Sequence, residues 1–531
     1  MSSKVAAILG RPIAGLQAIL GWMLATAVFF ITTDFLGGPV ESDSAQSIYS
    51  TWSIEHGNLA CAFPPHAAHF NFQTIADPYA FIAPIWPIVS GFLAFVFRIG
   101  YTVPFPALRP NCSNAEVAIY HWFAASDSAL PTVRLGYFAW LFLLAGVVAY
   151  LRSTNRGRTL WEPFALIVLA VIPAVNKPIL QFFHPQDILA VGLVLMGAAF
   201  VRRDRWLLAG IFFALAFSSQ QFAILAIIPI LVITPRNRLV KFIGGLALAS
   251  IVVDLPFVLL TSGRALRTII IGSSRNSVVS SGGTWLWELL HWHYHAANSG
   301  SGVIVFLMSR SMPIIVAAFI AWEVKKRIGN KVFDPVPLTC LLAISLIMRL
   351  VFEINLFGYY FMATAVMLVM VDVVRGQIRG GTLAWLFLSI GAFNPIPFGF
   401  VSNDTQPINE QLFRYTPWVL ITLAALIVVV ELIRRRLHWY WVATLLALVF
   451  LCEPKVYGLS FAKVFVPNWL WQVILVPAAM TLVVVPLIEF VKSHSSKSLE
   501  DELGSETLAV PLGIMGDASS GLTEGSPRRP E

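Results

Sequence analysis

Long apolar runs follow one another along almost the whole chain, and this feature limits the fold more than any other. A helix needs about 20 apolar residues to cross the hydrocarbon layer of a membrane. Only 12% of the residues are charged and the mean hydropathy is +0.75, so a soluble enzyme, a nucleic-acid-binding module and a disulfide-knotted secreted domain are excluded. The fourteen runs are 13–33, 135–151, 160–176, 187–201, 206–218, 221–233, 239–260, 302–322, 336–352, 360–374, 382–400, 416–433, 438–453 and 467–490. The sequence therefore predicts an all-α polytopic membrane protein with about 12–14 transmembrane helices.

The basic residues predict how these helices are oriented. Of the 36 Lys and Arg residues, 24 lie in alternate connections and in the two tails. Because basic residues concentrate on the cytoplasmic side, we expect a multi-pass protein of the cell (plasma) membrane with both termini in the cytoplasm. The stretch 81–97 would invert every later connection if it spanned. It is therefore predicted to be a membrane-surface or re-entrant helix broken by Pro84 and Pro87.

This topology divides the chain into two parts. Residues 1–490 form the predicted membrane domain, in which 34–134 is a long first external loop that contains surface helices. Residues 491–531, rich in Ser, Gly, Glu and Pro, are predicted to be a disordered cytoplasmic tail. Cys61 and Cys112 both fall in the external loop, where an oxidising compartment permits a disulfide; two unpaired cysteines are the alternative.

Two groups of external polar residues are candidates for a site. The first loop brings Asp34 and Asp43 close in sequence to Tyr49 and Trp52, and carboxylates beside aromatic rings suit sugar stacking and abstraction of a hydroxyl proton. A solvated acidic loop is the alternative. The second group follows the turn 183–187, where the runs 206–218 and 221–233 are unusually short. A 13-residue helix rises only ~20 Å, short of the ~30 Å hydrocarbon layer, so their polar junction is predicted to lie in a protein-lined cavity.

Two arginines lie inside apolar runs, where an ionisable side chain costs several kcal/mol unless it is paired. Arg349 is one helical turn from Glu353, and Arg310 is expected to pair with Asp254. Alternatively, Arg349 or Arg264 contacts a lipid phosphate through its guanidinium fork. No spacing of His, Cys or carboxylates predicts a metal site strongly, so none is assigned.

Three local matches resemble a known family. They are the stretch 43–65, the turn 184–187 with the short hairpin after it, and 349–353 with the pair 359–360. Together with the topology, they are similar to the GT-C superfamily of integral membrane glycosyltransferases, and in particular to its actinobacterial, polyprenyl-phosphate-sugar-dependent, mannosyltransferase-like members. In the short hairpin that family leads us to expect a Lys, where this sequence has Gln220 and Gln221.

The resemblance implies inverting transfer of a mannose- or arabinose-type sugar from a polyprenyl-phosphate donor to a cell-envelope glycolipid, glycan or protein acceptor on the outer face of the membrane. No cofactor is implied, and the expected partners are the donor, the acceptor and membrane lipids, with no nucleic acid. Asp43 is the expected catalytic base and Asp34 is the second candidate, with Asp187 and Glu41 as further alternatives. Arg349 and Arg264 are expected to bind the donor phosphate. The implied substrate-pocket residues are Tyr49, Trp52, His184, Asp187, Gln220, Gln221, Glu353 and Tyr359.

Two functions from other classes stay open. Many helices, a broken helix pair and charged residues within apolar runs also suit a secondary transporter, or a flippase for a lipid-linked sugar or envelope precursor. Against transport, the sequence has no evident internal duplication, and the long external loop has no obvious role in it. A non-catalytic scaffold for envelope assembly is the third reading, and it predicts that no single carboxylate is required.

Overall fold

A computed structural model of the chain describes residues 3–36, 84–97, 134–180, 183–260, 300–353, 358–393 and 468–506. These residues form helices joined by turns, with no β-strand among them. The helices are α1 (Ser3–Leu9), α2 (Gly15–Leu36), α3 (Ile85–Phe97), α4 (Ala139–Leu151), α5 (Trp161–Val171), α6 (Pro173–Leu180), α7 (Pro185–Arg202), α8 (Trp206–Phe217), α9 (Ile224–Ile233), α10 (Arg236–Leu260), α11 (Gly300–Ile328), α12 (Pro335–Phe352), α13 (Phe361–Arg375), α14 (Gly380–Phe393) and α15 (Asn468–Glu506).

Within the described part of the chain, five helices are long and apolar enough to cross a membrane, judged by length and composition. Their spans are Gly15–Thr33, Pro185–Arg202, Arg236–Leu260, Pro335–Phe352 and Leu475–His494. The helical content and these spans agree with the predicted all-α membrane protein. The apolar runs 416–433 and 438–453 lie outside the described residues, as do Cys61 and Cys112.

Helices α7, α12 and α13 form the centre of the bundle. Every residue of α13 except Arg375 is buried, and α7 and α12 are buried along most of their length. Around this centre, α4 and α8 pack on α7, while α11 and α15 pack on α12. The outer helices α2 and α10 instead expose large apolar side chains, among them Leu16, Met23, Val252 and Leu259. A surface of this kind suits contact with lipid chains.

Two helix crossings are close because glycines lie at the contact. Gly146 of α4 faces Gly192 of α7, and Gly210 of α8 faces the α10 backbone around Gly245. A Cβ atom added at any of these four glycines would overlap backbone atoms of the opposite helix. Small residues at such contacts let helix backbones approach closely, which is how helices associate in lipid without a hydrophobic driving force.

The run 160–176 was predicted to be one helix, but it is broken between α5 and α6. Proline disfavours helical geometry in the residue before it, and Ile172, which precedes Pro173, is extended with ψ of 120°. The break frees the carbonyl of Ala170, which accepts hydrogen bonds from Thr32 Oγ1 at 2.7 Å and Asn176 Nδ2 at 2.8 Å. The break therefore ties the end of α2 to α5 and α6.

Two further helix boundaries differ from prediction. Helix α3 begins at Ile85 and continues through Pro87, because a proline in the first turn removes an N–H that has no partner within the helix. Helix α15 runs past residue 491 to Glu506, into the segment that was predicted to be a disordered tail.

We predict that Gly245→Ala destabilises the protein by about 1–3 kcal/mol, since the added methyl group meets the backbone of Leu207 rather than a flexible side chain. Gly244→Ala is the matched control: a Cβ at Gly244 has no atom within 4 Å, so only the higher helix propensity of alanine remains. Thermal unfolding in detergent measures both. Equal melting temperatures for the two variants would contradict the close crossing of α8 and α10.

Candidate functional site

Two polar segments meet at one end of the bundle, the turn before α7 and the tip of the α8–α9 hairpin. Ser219 Oγ donates a hydrogen bond to the carbonyl of Gln186 at 2.9 Å, and Gln220 Nε2 donates to Asp187 Oδ1. The backbone N–H of Ile85 donates to the carbonyl of Ser218 at 3.1 Å, which attaches α3 to the same tip. The tip of the short hairpin therefore packs against the start of α7 and of α3.

The turn before α7 places the side chains of Gln186 and Asp187 at the N-terminus of that helix. Pro185 takes the first helical position, where its missing N–H removes no hydrogen bond. The preceding Phe183 adopts a φ of 49°, and the N–H of His184 donates to the carbonyl of Pro178 at 2.6 Å. These constraints place Asp187 in the first turn of α7, where the helix dipole favours a carboxylate.

The same turn holds two buried acceptors that lack a hydrogen-bond partner. Gln186 is 3% exposed and Asp187 is 1% exposed. The Gln186 amide nitrogen lies 3.0 Å from His184 Nδ1, but Gln186 Oε1 and Asp187 Oδ2 accept no hydrogen bond from the described residues. A buried polar atom left without a partner costs about 1–3 kcal/mol, so this turn keeps a binding capacity that the fold itself does not use.

Arg349, near the end of α12, lies beside two aromatic rings. Its guanidinium carbon is 3.6 Å from the ring centre of Tyr360 and 4.8 Å from that of Phe222, distances typical of cation–π contacts. Its Nε lies 3.7 Å from Glu353 Oε2, so the pairing with Glu353 predicted from their spacing is confirmed. Phe222 belongs to the hairpin whose Gln220 bonds Asp187, which brings the cation and the α7 turn into one site.

Arg310 joins this cluster from α11. Its terminal nitrogen lies 3.2 Å from the same oxygen, Glu353 Oε2, and about two fifths of its side chain is exposed. The prediction that Arg310 pairs with Asp254 is wrong, because Asp254 is on α10 and accepts a hydrogen bond from Ser218 Oγ at 2.7 Å. Helix α11 packs on α9 and α12 instead, which brings Arg310 to the end of α12. One carboxylate thus holds two guanidiniums together.

Stacked aromatic rings link the two parts of the site. The His184 ring stacks on Tyr359 with ring centres 3.7 Å apart and planes at 15°. Tyr359 in turn packs edge-to-face on Tyr360 with ring centres 4.7 Å apart, and the Tyr360 ring contacts the Arg349 guanidinium. The site therefore combines a carboxylate turn, an aromatic wall and an arginine pair.

The structure brings together six of the residues expected at a site: His184, Asp187, Gln220, Arg349, Glu353 and Tyr359. Gln221 follows Gln220 at the hairpin tip, and its N–H donates to Gln220 Oε1 at 3.1 Å. Asp34 lies in the last turn of α2, of which only the backbone is described. The remaining expected residues, Asp43, Tyr49, Trp52 and Arg264, lie outside the described residues. Their roles stay predictions.

Three residues at the site have no role that the sequence predicted. Gln186 lies inside a recognised turn, but its unsatisfied acceptor depends on how the hairpin packs over it. Phe222 follows the polar tip and reads as an ordinary apolar residue of the next helix. Tyr360 belongs to the pair 359–360, yet its spacing from Arg349 in the sequence does not indicate that the two side chains are in contact.

Among the described residues, no group of three or more His, Cys, Asp or Glu side chains could hold a metal ion. No protein-family model, characterised protein or solved structure matches the chain. Its function therefore has to be inferred from the geometry of this site.

We predict that Glu353→Gln destabilises the protein by about 2–3 kcal/mol. The change leaves two guanidiniums without their shared counter-charge, and the cost stays below that of a fully buried pair because Arg310 is partly exposed. Glu323→Gln is the control, since Glu323 pairs with the exposed Arg327 and its loss should cost about 0.5 kcal/mol or less. Chemical unfolding in mild detergent measures both. Equal losses would argue against a shared counter-ion.

Proposed function

We propose that the protein is a GT-C-like glycosyltransferase of the cell membrane, which moves a mannose- or arabinose-type sugar from a polyprenyl phosphate to a cell-envelope acceptor on the outer face. The proposal includes a multi-pass bundle of about 12–14 helices with both termini in the cytoplasm. It combines the resemblance in the sequence with the chemistry of the site at the start of α7 and the end of α12.

The observation that carries the proposal is the position of Arg349 beside hydrogen-bonding groups suited to a sugar. Its guanidinium lies over Tyr360 and Phe222. Phe222 belongs to the hairpin that bonds Asp187, and the second oxygen of Asp187 has no partner among the described residues. A lipid-phosphate sugar presents an anion and several hydroxyl groups close together. Guanidinium recognises phosphate oxygens well, and carboxylates accept hydrogen bonds from hydroxyls.

The chemistry follows as a single displacement. The oxygen of the acceptor hydroxyl attacks the anomeric carbon, the bond from that carbon to the phosphate oxygen breaks, and a carboxylate takes the hydroxyl proton. The lipid phosphate leaves with the electron pair of the broken bond. Because this leaving group is already anionic, cationic groups such as Arg349 stabilise it, and no general acid is needed.

Asp43 is the proposed base, and Asp34 is the second candidate. A base in the first loop is consistent with the position of the end of α2. Thr32 near that end is hydrogen-bonded to Ala170 at the α5–α6 break, so the helix that precedes the loop is fixed to α5 and α6. Thr33 Oγ1 donates to Asn176 Oδ1 at 3.0 Å in α6, and the chain after α6 continues into the turn before α7. The first loop therefore departs from a helix that is bonded to the segment leading into the site.

The α8–α9 hairpin also supports a second candidate function. Helix α8 has 12 residues, a rise of roughly 18 Å, and discontinuous helices of this kind form substrate sites in transporters. A flippase for a lipid-linked sugar would bind the same ligand without transferring it. Glycolipid profiling of a deletion strain separates the two: a missing glycolipid with an accumulated precursor indicates a transferase, and unchanged glycans with altered solute uptake indicate a transporter.

We predict that Asp43→Asn lowers transfer from synthetic polyprenyl-phosphate sugars by about 10²–10⁴-fold, because the amide keeps the shape of the carboxylate but accepts no proton. Binding of the donor should stay nearly unchanged. Asp204→Asn is the control: Asp204 pairs with Arg238 away from the site, and its φ of 57° is one that asparagine tolerates.

If Asp43→Asn retains activity while Asp34→Asn abolishes it, the base is Asp34 and the transferase stands. If deletion of the gene has a clear phenotype but neither substitution reproduces it, the hypothesis of a catalytic base in this loop is wrong. The transporter or the scaffold is then the better explanation.

We predict that Arg349→Ala weakens binding of sugar-free polyprenyl phosphate by about 10- to 100-fold, because the phosphate loses a charge-assisted hydrogen bond. The affinity of Arg349→Lys should lie between those of the wild type and Arg349→Ala, since lysine keeps the charge but loses the planar guanidinium. The exposed Arg327 provides the control, Arg327→Ala. Fluorescence titration in nanodiscs measures the affinities. Unchanged affinity in Arg349→Ala would remove Arg349 from the phosphate site.

A further inference from the structure

We propose that Gln186 Oε1 and Asp187 Oδ2 form a subsite that accepts hydrogen bonds from the hydroxyl groups of the sugar, and that this pair distinguishes a sugar-bearing lipid phosphate from the sugar-free lipid. The inference rests on the proposed function and assigns the sugar to the turn before α7. Arg349 holds the phosphate of the same ligand.

The first argument is the unused hydrogen-bonding capacity of the turn. Both side chains are more than nine-tenths buried, and each has one oxygen without a partner. A buried oxygen that accepts no hydrogen bond is unfavourable. A ligand that donates to both oxygens recovers this cost on binding, which gives the turn a preference for a ligand with at least two donors.

The second argument is the acceptor character and negative charge of the subsite. Both free atoms are acceptors, and one belongs to a carboxylate, so a phosphate oxygen would be repelled there. Hydroxyl groups, by contrast, can donate to both atoms. Arg349 provides the opposite preference nearby, since it lies over Phe222 of the hairpin that bonds Asp187 and offers only donors. The two halves of a sugar phosphate therefore match the two halves of the site.

The third argument is that neighbouring groups hold the acceptors in place. Gln220 Nε2 donates to Asp187 Oδ1, which fixes the carboxylate and leaves Oδ2 for a ligand. The Gln186 amide nitrogen is held near His184 Nδ1, which leaves its oxygen free. The His184 ring is itself stacked on Tyr359. Gln220 is therefore a positioning residue that acts through Asp187.

The test compares the affinities of three lipids: polyprenyl-phosphate mannose, polyprenyl-phosphate arabinose and sugar-free polyprenyl phosphate. Asp187→Asn should weaken binding of at least one sugar-bearing lipid about tenfold, since a charge-assisted hydrogen bond becomes a neutral one. Gln186→Leu and Gln220→Leu should weaken the same lipid. Gln186→Leu and Gln220→Leu should bind the sugar-free lipid like the wild type, and Asp187→Asn, which removes a negative charge that repels phosphate, should bind it at least as tightly as the wild type. A merely structural role would instead weaken binding of all three lipids.

The outcomes separate the subsite from the function. If the variants fold but lose affinity for sugar-bearing and sugar-free lipid equally, the subsite is wrong while the transferase stands. Should the wild type bind none of the three lipids, the proposed function fails and the subsite fails with it. Melting temperatures monitor folding, with Asp204→Asn as the control. If Asp187→Asn does not fold, Gln186→Leu, which keeps the Asp187 charge, decides the question by the same comparison.

Discussion

Close backbone packing at glycine is the constraint on which the rest of the described bundle depends. In lipid, apolar side chains gain little by leaving their surroundings, so helices associate through fitted surfaces and polar contacts. Gly192 fits α7 against α4, and Gly245 fits α10 against α8. The packing of α8 on α7 between these two crossings carries the turn before α7 and the α8–α9 hairpin to the same end of the bundle. The contact between Gln220 and Asp187 follows from that packing.

Charged groups in the bundle follow a second rule, since each needs a partner when it leaves water. Away from the site, the fully buried Glu162 accepts hydrogen bonds from Trp22 Nε1 at 2.8 Å and from Arg152 Nε at 3.2 Å. The site departs from such complete pairing, because Asp187 keeps one oxygen unused. The proposed sugar ligand would complete the hydrogen bonding of Asp187.

The sequence predicted those parts of the fold that depend on local pattern. Apolar runs predicted the helices, and the short runs beside 218–221 predicted the hairpin, because both follow from hydrophobicity and length. Spacing along one helix also predicted the Arg349–Glu353 pair. The partner of Arg310 was missed, since Glu353 is 43 residues away and is reached only through the packing of α11 on α12. The free oxygen of Gln186 was missed for the same reason, because burial is a tertiary property.

If Arg349 binds the donor phosphate as proposed, the two rings beside it affect the selectivity of that binding. Tyr360 and Phe222 cover much of the guanidinium and exclude water from the surface they cover. An arriving anion therefore displaces fewer ordered waters than it would at an exposed arginine, and it meets a side chain whose rotamers were already restricted during folding. Such a group favours anions that approach its uncovered nitrogens. It should discriminate by the direction of approach as well as by charge.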